Sequence, residues 1–454
     1  MSATLKPFLS DETGRAINET LGQIQDVLLR EKSDAGIEKK DVSFYDYDGT
    51  LLHSYTIKEA NMLTALPPTL AHEGLVFDGW NWSLEDINKL TRPMDIGAMY
   101  HTLDGDTHIY IHLEEGHQDI TFSICVKGNI VLDWGDGHLE QSSLIGTDLT
   151  TPIQIPVHHY AAPGDYVIRF AVNGEAQLDK NFSGINSKWL RESATKIEIG
   201  DNITIGAHAF ERYGSLLNIT IPSSITSLGT YAFERCRSLL SINIPSGVTR
   251  LEDSLLDDCI SLLTVTIPKS IVSFEGGAFS NCYSLQSITL PDTLSSIGSW
   301  GFHECHSLSN IIIPARAHTI EEYAFYHCYL LSNVVIPEDL MYIREDAFCG
   351  CESLSNITIP ITNHITNIEG EAFNGCASLS SITIPKGVTT IGDSAFEDCD
   401  ALLDVTILNG VKYINASAFS DCNSLSTVTF PNGLESIGDY AFNRCNEIIC
   451  FDFT

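Results

Sequence analysis

The chain has 454 residues, of which 43% are hydrophobic and 19% charged, so it is long enough for several folded domains with a large buried surface. Its 59 acidic and 25 basic residues leave a formal net charge of −34, which disfavours nucleic acid and anionic membrane surfaces as partners. The sequence contains no run of about 18 apolar residues, so we expect no membrane insertion.

Residues 1–40 are predicted to contain a helix. Its apolar positions follow the 4-3-4 spacing of a coiled-coil seam over two heptads. We expect this helix to attach the protein to a partner or to pair with copies of itself; a helix folded against its own chain and a disordered tail are the alternatives. The segment also lacks the basic and apolar regions of a secretory signal. The predicted seam residues are Ile17, Leu21, Ile24 and Leu28.

Residues 41–95 are predicted to form a small β module. Alternating strand patterns flank a DGT turn at 48–50, and the segment HEGLVFDGW follows at 72–80. The segment resembles the Listeria–Bacteroides repeat, a β-grasp-like module of surface proteins, which implies a spacer rather than a catalyst. The turn and core positions that the resemblance implies are Phe44, Gly49, Gly74, Phe77, Gly79 and Trp80.

Residues 96–175 contain a WGDG turn and, later, the segment HHYAAPGDY at 158–166. Together they resemble the PKD-type β-sandwich, which implies an extracellular spacer or adhesive unit. A linker and cap are predicted at 176–195. The residues that carry the resemblance are Trp134, Gly135, Asp136, Gly137, His158, Tyr160, Pro163, Gly164 and Tyr166.

Residues 196–454 contain about eleven copies of a 23-residue unit, approximately AFxxCxSLxxIxIPxxVTxIGxx. A fixed period of this length predicts a leucine-rich-repeat solenoid. Each unit supplies a strand whose Ile side chains face inward, a Pro that ends the strand, a second extended piece and one turn. Stacked coils would place identical residues in ladders, with Phe in a continuous aromatic column.

Ten of the 13 cysteines occupy one position of this unit, from Cys236 to Cys445. A disulfide framework shows paired, irregular spacings, and a zinc site needs at least two ligands that lie close together. Neither pattern fits one cysteine in each repeat. We therefore predict that these thiols are free and packed in the core.

The joint Phe, Cys, Leu and Pro columns resemble the BspA-like leucine-rich repeats, and the resemblance covers more than half of the chain. It implies a non-enzymatic recognition protein, mostly of bacterial surfaces and of some parasitic protists, with a role in adhesion. The chain as a whole is predicted to be mainly β, with the solenoid following two small β domains and an N-terminal helix.

Catalytic and metal-binding patterns are weak. The Asp-rich turns at 46–49, 104–107 and 133–137 lack the spacing of an EF-hand, so we interpret them as ordinary turns, with calcium binding as the alternative. No hydrolase, metalloprotease or nucleotide-binding motif stands out. We predict no catalytic residue, no metal and no cofactor.

One part of the solenoid is a candidate binding surface. Most repeats carry a polar residue between the two inward Ile positions, such as Thr220, Asn243 and Thr266, and we expect these residues to form a ladder on an exposed strand face. Two consecutive repeats break the ladder and concentrate aromatic residues, as recognition surfaces do. The alternative is that repeats drift and that these rings cover core edges. The predicted ligand-binding residues are Trp300, His303, His306, Ile312, His318, Tyr323, Tyr326, His327, Tyr329 and Val335.

The predicted function is recognition of a host-surface protein or glycan by the solenoid. We favour a phage or phage-tail-like receptor-binding protein, carried on a virion or extracellular particle, whose N-terminal helix contacts other virion proteins or copies of itself. Release by lysis needs no signal, and cytoplasmic assembly suits unpaired cysteines. The alternatives are a BspA-type adhesin at a bacterial or protist cell surface or in secreted form, and an intracellular protein-binding scaffold.

Overall fold

The computed structural model describes residues 37–140, 144–184, 187–361 and 364–453. The predicted N-terminal helix with its seam residues lies outside these ranges. Within them the chain is mainly β, as predicted, with a solenoid that follows two smaller β modules. None of the helices in these ranges is long and apolar enough to cross a membrane.

The first module is a four-stranded sheet of order β2-β1-β4-β3, in which the central pair β1–β4 is parallel. It has its own core around Phe44 and Trp80, whose rings meet edge to face at 4.9 Å. The last strand runs to residue 102, so the sheet continues past the predicted boundary at residue 95. The elements are β1 Val42–Tyr45, β2 Leu51–Tyr55, α1 Ile57–Ala60, β3 Leu75–Trp80, α2 Leu84–Ile87 and β4 Met94–Thr102.

The second module consists of antiparallel strands around a core that contains Trp134 and Tyr160. The Tyr160 hydroxyl donates to the Trp134 carbonyl oxygen at 2.7 Å, and His158 stacks on the Trp134 ring at 4.7 Å. The WGDG turn and the later HHY segment, which the sequence analysis paired, therefore meet in space. The strands are β5 Thr107–Leu113, β6 Asp119–Ile120, β7 Ser123–Asp133, β8 Leu139–Glu140, β9 Ile145–Gln154, β10 His158–His159 and β11 Gly164–Leu178.

The second module covers the first coil of the solenoid. A short helix, α3 (Lys188–Ser193), precedes β12 (Ala194–Glu198), which pairs with β5 of the module and with β14 (Asn218–Thr220) of the next coil. Strand β13 (Ile203–Ile205) pairs with β11. The two parts thus share one sheet, and the segment predicted as linker and cap packs against the first coil through Phe182, which is fully buried.

The solenoid has two series of parallel strands, joined in each coil by the AFxxC turn. The first series continues with β15 Ser241–Asn243, β17 Thr264–Thr266, β20 Asn310–Ile312, β22 Asn333–Val335, β24 Asn356–Thr358, β26 Ser381–Ile384, β28 Asp404–Ile407, β30 Thr427–Phe430 and β32 Cys450–Phe453. The second contains β16 Arg250–Leu251, β18 Ser273–Phe274, β19 Ser296–Ile297, β21 Thr319–Ile320, β23 Tyr342–Ile343, β25 Asn367–Ile368, β27 Thr390–Ile391, β29 Tyr413–Ile414 and β31 Ser436–Ile437.

Phenylalanine rings fill the solenoid core as a ladder, as predicted. From Phe279 to Phe442 each ring stacks on the next, with centroids 5.2–5.3 Å apart. Leu256 interrupts the column between Phe233 and Phe279 and is itself fully buried. The 23-residue period therefore places one ring in each coil, at a spacing slightly larger than the roughly 4.8 Å between neighbouring strands of a sheet.

The cysteine column lies beside these rings. The described cysteines are free, and those of the column are buried except Cys445, which is half-buried. Each thiol donates to the carbonyl oxygen of a Phe-column residue in the preceding coil; Cys305 contacts the Phe279 oxygen at 3.1 Å. Free cysteines in the core, which the spacing predicts, agree with this arrangement.

The first module packs against the strand face of the solenoid. Strand β4 contacts β14, β15 and β17. The Asn243 side chain donates to the Ala98 carbonyl oxygen at 2.8 Å, and the Trp82 indole donates to the Ile267 carbonyl oxygen at 2.9 Å. The module thus forms specific polar contacts over the first coils instead of acting only as a spacer between other parts.

This contact corrects the prediction of an exposed polar ladder for the first coils, whereas in a later coil the ladder residue Thr358 is exposed, as predicted. Thr220, Asn243 and Thr266 are only 2%, 7% and 2% exposed. They are buried because the first module covers them. The Thr266 hydroxyl donates to the Asn243 side-chain oxygen at 2.7 Å, whereas the Thr220 hydroxyl is buried without a hydrogen bond. The strand face is open farther along, where Val335 is 47% exposed.

Candidate recognition surface

The AFxxC turns determine where the aromatic side chains point. The Tyr323 amide donates to the Glu345 carbonyl oxygen of the next coil at 3.1 Å, and the His327 amide donates to the Cys349 carbonyl oxygen at 2.7 Å. Both residues have left-handed backbone conformations, with φ of 57° and 55°. Phe325 lies between them and is fully buried, so the turn alternates between core and surface residues.

Rings in consecutive coils stack along the solenoid axis. The Trp300 and Tyr323 rings lie 4.4 Å apart at 19°, and the His303 and Tyr326 rings lie 5.2 Å apart at 5°. These pairs are 23 residues apart, so each occupies one column of the repeat. Trp300 is 43% exposed, which leaves much of this row open to solvent.

A third row completes the cluster. The Tyr283 and His306 rings are parallel and 4.6 Å apart, and Tyr329 lies 4.8 Å beyond His306. His327 joins the rows, because it contacts Tyr326 at 3.9 Å and Tyr329 at 5.3 Å. We name this cluster the aromatic surface, and its members are Tyr283, Trp300, His303, His306, Tyr323, Tyr326, His327 and Tyr329.

The histidines of the aromatic surface are held in the neutral state. Burial lowers the pKa of His306 to about 4. Burial also lowers the pKa of His303 and of His327. One ring nitrogen each of His303 and His306 is buried without a hydrogen bond, although the Glu304 carboxylate lies 3.7 Å from the His306 nitrogen.

An acidic cluster adjoins the aromatic surface. Asp346 and Glu371 continue the column of Trp300 and Tyr323, and their carboxylates lie within 4.8 Å of each other and of the Cys349 thiol. Burial raises the pKa of Asp346 and raises that of Cys349 to about 12. Before the three groups could hold a metal ion together, the Cys349 thiol would have to lose the proton that burial favours.

A second group with ligand-like spacing lies near the start of the solenoid. Side-chain donor atoms of His208, Glu211 and Glu234 are also within 4.8 Å of one another. Their charges are balanced locally, since Arg212 lies 3.2 Å from Glu211 and Arg235 lies 3.5 Å from Glu234. Neither cluster was predicted from the sequence.

The Asp-rich turns have the geometry of ordinary turns. The Asp48 carboxylate accepts the Thr50 amide at 2.9 Å, and the Asp133 carboxylate accepts the Gly135 amide at 2.9 Å. Such contacts between an Asp side chain and the amide two residues later are what Asp contributes to a turn.

The ten predicted ligand-binding residues fall into three places. Seven belong to the aromatic surface. Ile312 and Val335 lie on strands β20 and β22 of the strand face. His318 precedes β21, and its ring nitrogen lies 3.3 Å from the Asp339 carbonyl oxygen. The seven that the structure brings together are Trp300, His303, His306, Tyr323, Tyr326, His327 and Tyr329.

Tyr283 and the acidic residues beside the rings were not predicted from the sequence. Both could have been found by alignment on the 23-residue period: Tyr283 precedes His306 by one unit, and Asp346 follows Tyr323 by one unit. Their repeat position is therefore the signal that identifies them, because both residues lie outside the two repeats in which the polar ladder is broken.

Comparison with known proteins identifies the repeats. The BspA type leucine rich repeat region matches in six copies at residues 185–285, 253–363 and 359–454. No curated protein matches the chain. The predicted resemblances of residues 41–95 and 96–175 to other modules stay predictions.

Several solved structures are similar in part. A leucine-rich repeat protein from Bacteroides ovatus is 26% identical over 55% of this chain and 82% of its own, with a TM-score of 0.34. A leucine rich cell surface protein from Faecalibacterium prausnitzii is 22% identical over 63% and 93%, with a TM-score of 0.39. The pneumococcal vaccine antigen PcpA is 18% identical over 50% and 74%, with a TM-score of 0.30. With the repeat region matched from residue 185 to residue 454, more than half of the chain, the protein belongs to the BspA-type leucine-rich repeat family.

Proposed function

We propose that this protein is a non-enzymatic recognition protein that attaches to a surface protein or glycan through its aromatic surface. The observation that carries the proposal is the continuous set of stacked rings, with Trp300 at its exposed end, on a chain of net charge −34. Aromatic groups gathered on a polar surface are typical of recognition sites. Membership of a repeat family without known catalytic chemistry supports the same conclusion.

Two settings would use the aromatic surface in the same way. The first is a BspA-type adhesin at a bacterial cell surface, which the family membership supports. The second is a receptor-binding protein carried on a phage or phage-like particle. The observation that favours this second setting is the column of free, buried thiols, because a protein assembled in a reducing cytoplasm keeps its cysteines unpaired.

Fractionation of the producing culture separates the two settings. Mass spectrometry would quantify the protein in gradient-purified particles and in washed cell envelopes. A fixed stoichiometry in the particles would support the particle-borne setting, whereas recovery in the envelopes alone would support the adhesin.

An attachment assay tests the recognition site in either setting. The variant Tyr323→Ala/Tyr326→Ala/His327→Ala should reduce attachment of the purified protein to target cells at least tenfold, because it removes the centre of the stacked rows. The matched control is Tyr231→Ala, since Tyr231 occupies the same column as Tyr323 near the other end of the solenoid. Circular dichroism and melting temperature would confirm that both variants remain folded. Wild-type attachment by the triple variant would contradict the proposal.

A further inference from the structure

The coils around the aromatic surface carry a strong local excess of negative charge. Residues 298–375 contain ten Asp and Glu residues but only two basic residues, Arg316 and Arg344. Arg344 is bound elsewhere: its guanidinium lies 2.8 Å from the Glu369 carboxylate and packs over the Tyr342 ring. Neither arginine belongs to the AFxxC turns that display the rings.

Carboxylates border the rings at two places. Glu304 lies inside the cluster, with its carboxylate 3.5 Å from the Tyr283 hydroxyl and 3.7 Å from His306. At the far end of the Trp300 row, Asp346 lies beside Tyr323, and its charge raises the pKa of that phenol. The exposed Glu371 follows in the next coil.

The neutral histidines do not offset this charge. Because burial lowers the pKa of His303, His306 and His327, these rings contribute aromatic surface without a positive charge near pH 7. The aromatic surface therefore combines an exposed Trp300 and half-buried rings with unbalanced carboxylates.

Near the start of the solenoid the same columns also hold stacked rings, but the acidic residues there have basic partners. His208 and Tyr231 stack at 4.8 Å, as Trp300 and Tyr323 do. There, however, Arg212 and Arg235 lie beside the neighbouring glutamates and balance their charge. Stacked rings with unbalanced acidic groups are thus a property of the aromatic surface and not of every AFxxC turn.

We propose that the aromatic surface binds an arginine-bearing segment of a partner protein, with a guanidinium stacked on Trp300 or Tyr323 and paired with Glu304 or Glu371. This inference rests on the proposed function and specifies its ligand. A guanidinium is planar, permanently charged and weakly hydrated, so it can stack on an aromatic face and bind a carboxylate at the same time. A neutral sugar could stack on the rings but would gain nothing from the excess charge.

The test measures binding of a defined probe to the full-length protein. The probe is an acetylated, amidated peptide of alternating glycine and arginine, and the matched peptide replaces each arginine with citrulline, which keeps the shape but removes the charge. Isothermal titration calorimetry at about 0.15 M salt limits long-range attraction to the acidic chain as a whole. A neutral oligosaccharide, chitohexaose, serves as the second probe.

Two variants and one control separate the contributions of the rings and the carboxylates. Trp300→Ala/Tyr323→Ala removes the stacking row, and Glu304→Gln/Glu371→Gln removes charge while keeping side-chain shape. Each should weaken arginine-peptide binding about tenfold or more, whereas Tyr231→Ala should leave it unchanged. The citrulline peptide should bind at least tenfold more weakly than the arginine peptide.

Equal binding of the arginine peptide by the wild type, the two variants and the Tyr231→Ala control would overturn the inference. The peptide would then be attracted by the net negative charge of the whole chain. Binding of chitohexaose without binding of the peptide would also overturn it and would indicate a glycan ligand. Neither result would refute the proposed function, which fails only if target-cell attachment survives the Tyr323→Ala/Tyr326→Ala/His327→Ala substitution. Inhibition of target-cell attachment by the arginine peptide would support both the proposed function and the arginine-binding inference.

Discussion

The thiols of the cysteine column differ in chemistry according to their surroundings. Cys305 is fully buried and donates to the Phe279 carbonyl oxygen at 3.1 Å, and burial raises its pKa well above the ordinary range. Cys445, the last member of the column, is only half-buried, so solvent can reach its thiol and ionisation costs less there than at the fully buried thiols. Because the thiolate is the reactive form, the column should contain one reactive thiol among inert ones.

This difference predicts a single fast thiol. In a Cys450→Ser background, which removes the cysteine whose side chain is not described, a disulfide reagent should label Cys445 rapidly at pH 7.5. The other thiols should react only on the timescale of unfolding. Adding Cys445→Ser should abolish the fast phase, and adding Cys399→Ala instead should leave it intact. A fast phase that titrates several thiols would contradict the buried-core interpretation.

At the scale of elements, the contact between the first module and the solenoid depends on a close backbone approach. Gly97 lies in β4. A Cβ added there would lie 2.2 Å from the Thr266 hydroxyl oxygen and 2.6 Å from the Asn243 side-chain carbon. Both neighbours belong to the buried polar network that holds the module, so they cannot move without losing hydrogen bonds.

Gly97→Ala should therefore weaken docking of the module, by about 1–3 kcal/mol. Amide hydrogen exchange should become faster in β4, β15 and β17 and should stay unchanged in β26, β28 and β30. Gly214→Ala is the matched control, because a Cβ at Gly214 meets no atom within 4 Å. Wild-type exchange rates in the Gly97→Ala variant would show that the close approach is not required for docking.

Periodicity made the elements of the solenoid predictable, since each inward-facing column has one environment in every coil. The ring ladder through Phe302 and the buried thiol of Cys305 follow from their repeat positions alone. The burial of Asn243 does not, because a local pattern indicates which residues face outward but not what covers them. The members of the candidate surface were predictable only in part for the same reason. Tyr323 and Val335 both belong to the aromatic and apolar group of residues in these repeats, but they lie on different faces of the coil.

On the scale of the whole molecule, the solenoid is a one-dimensional stack in which each coil contacts its neighbours. The parallel strands β19, β21, β23, β25, β27, β29 and β31 pair only in sequence order. The stack begins on the second module, where Phe182 meets Phe210 edge to face at 5.8 Å. In such an architecture the free energy of unfolding is approximately the sum of the intrinsic stabilities of the coils and of the interaction energies between adjacent coils.

Removal of one complete coil should consequently leave a folded protein. Deletion of residues 402–424 takes out 23 residues and joins Ala401 to Leu425, which restores every column across the junction. Calorimetry should show a cooperative transition with an unfolding enthalpy lower by about 16 kcal/mol near 60 °C, from roughly 0.7 kcal/mol per residue. Attachment to target cells should not change, because the deletion lies beyond the aromatic surface and the acidic cluster.

Deletion of residues 402–412 is the out-of-phase control, and it should lower the melting temperature sharply because it places core residues at surface positions of the repeat. Similar melting temperatures for the two deletions would show that the columns do not determine how the coils stack.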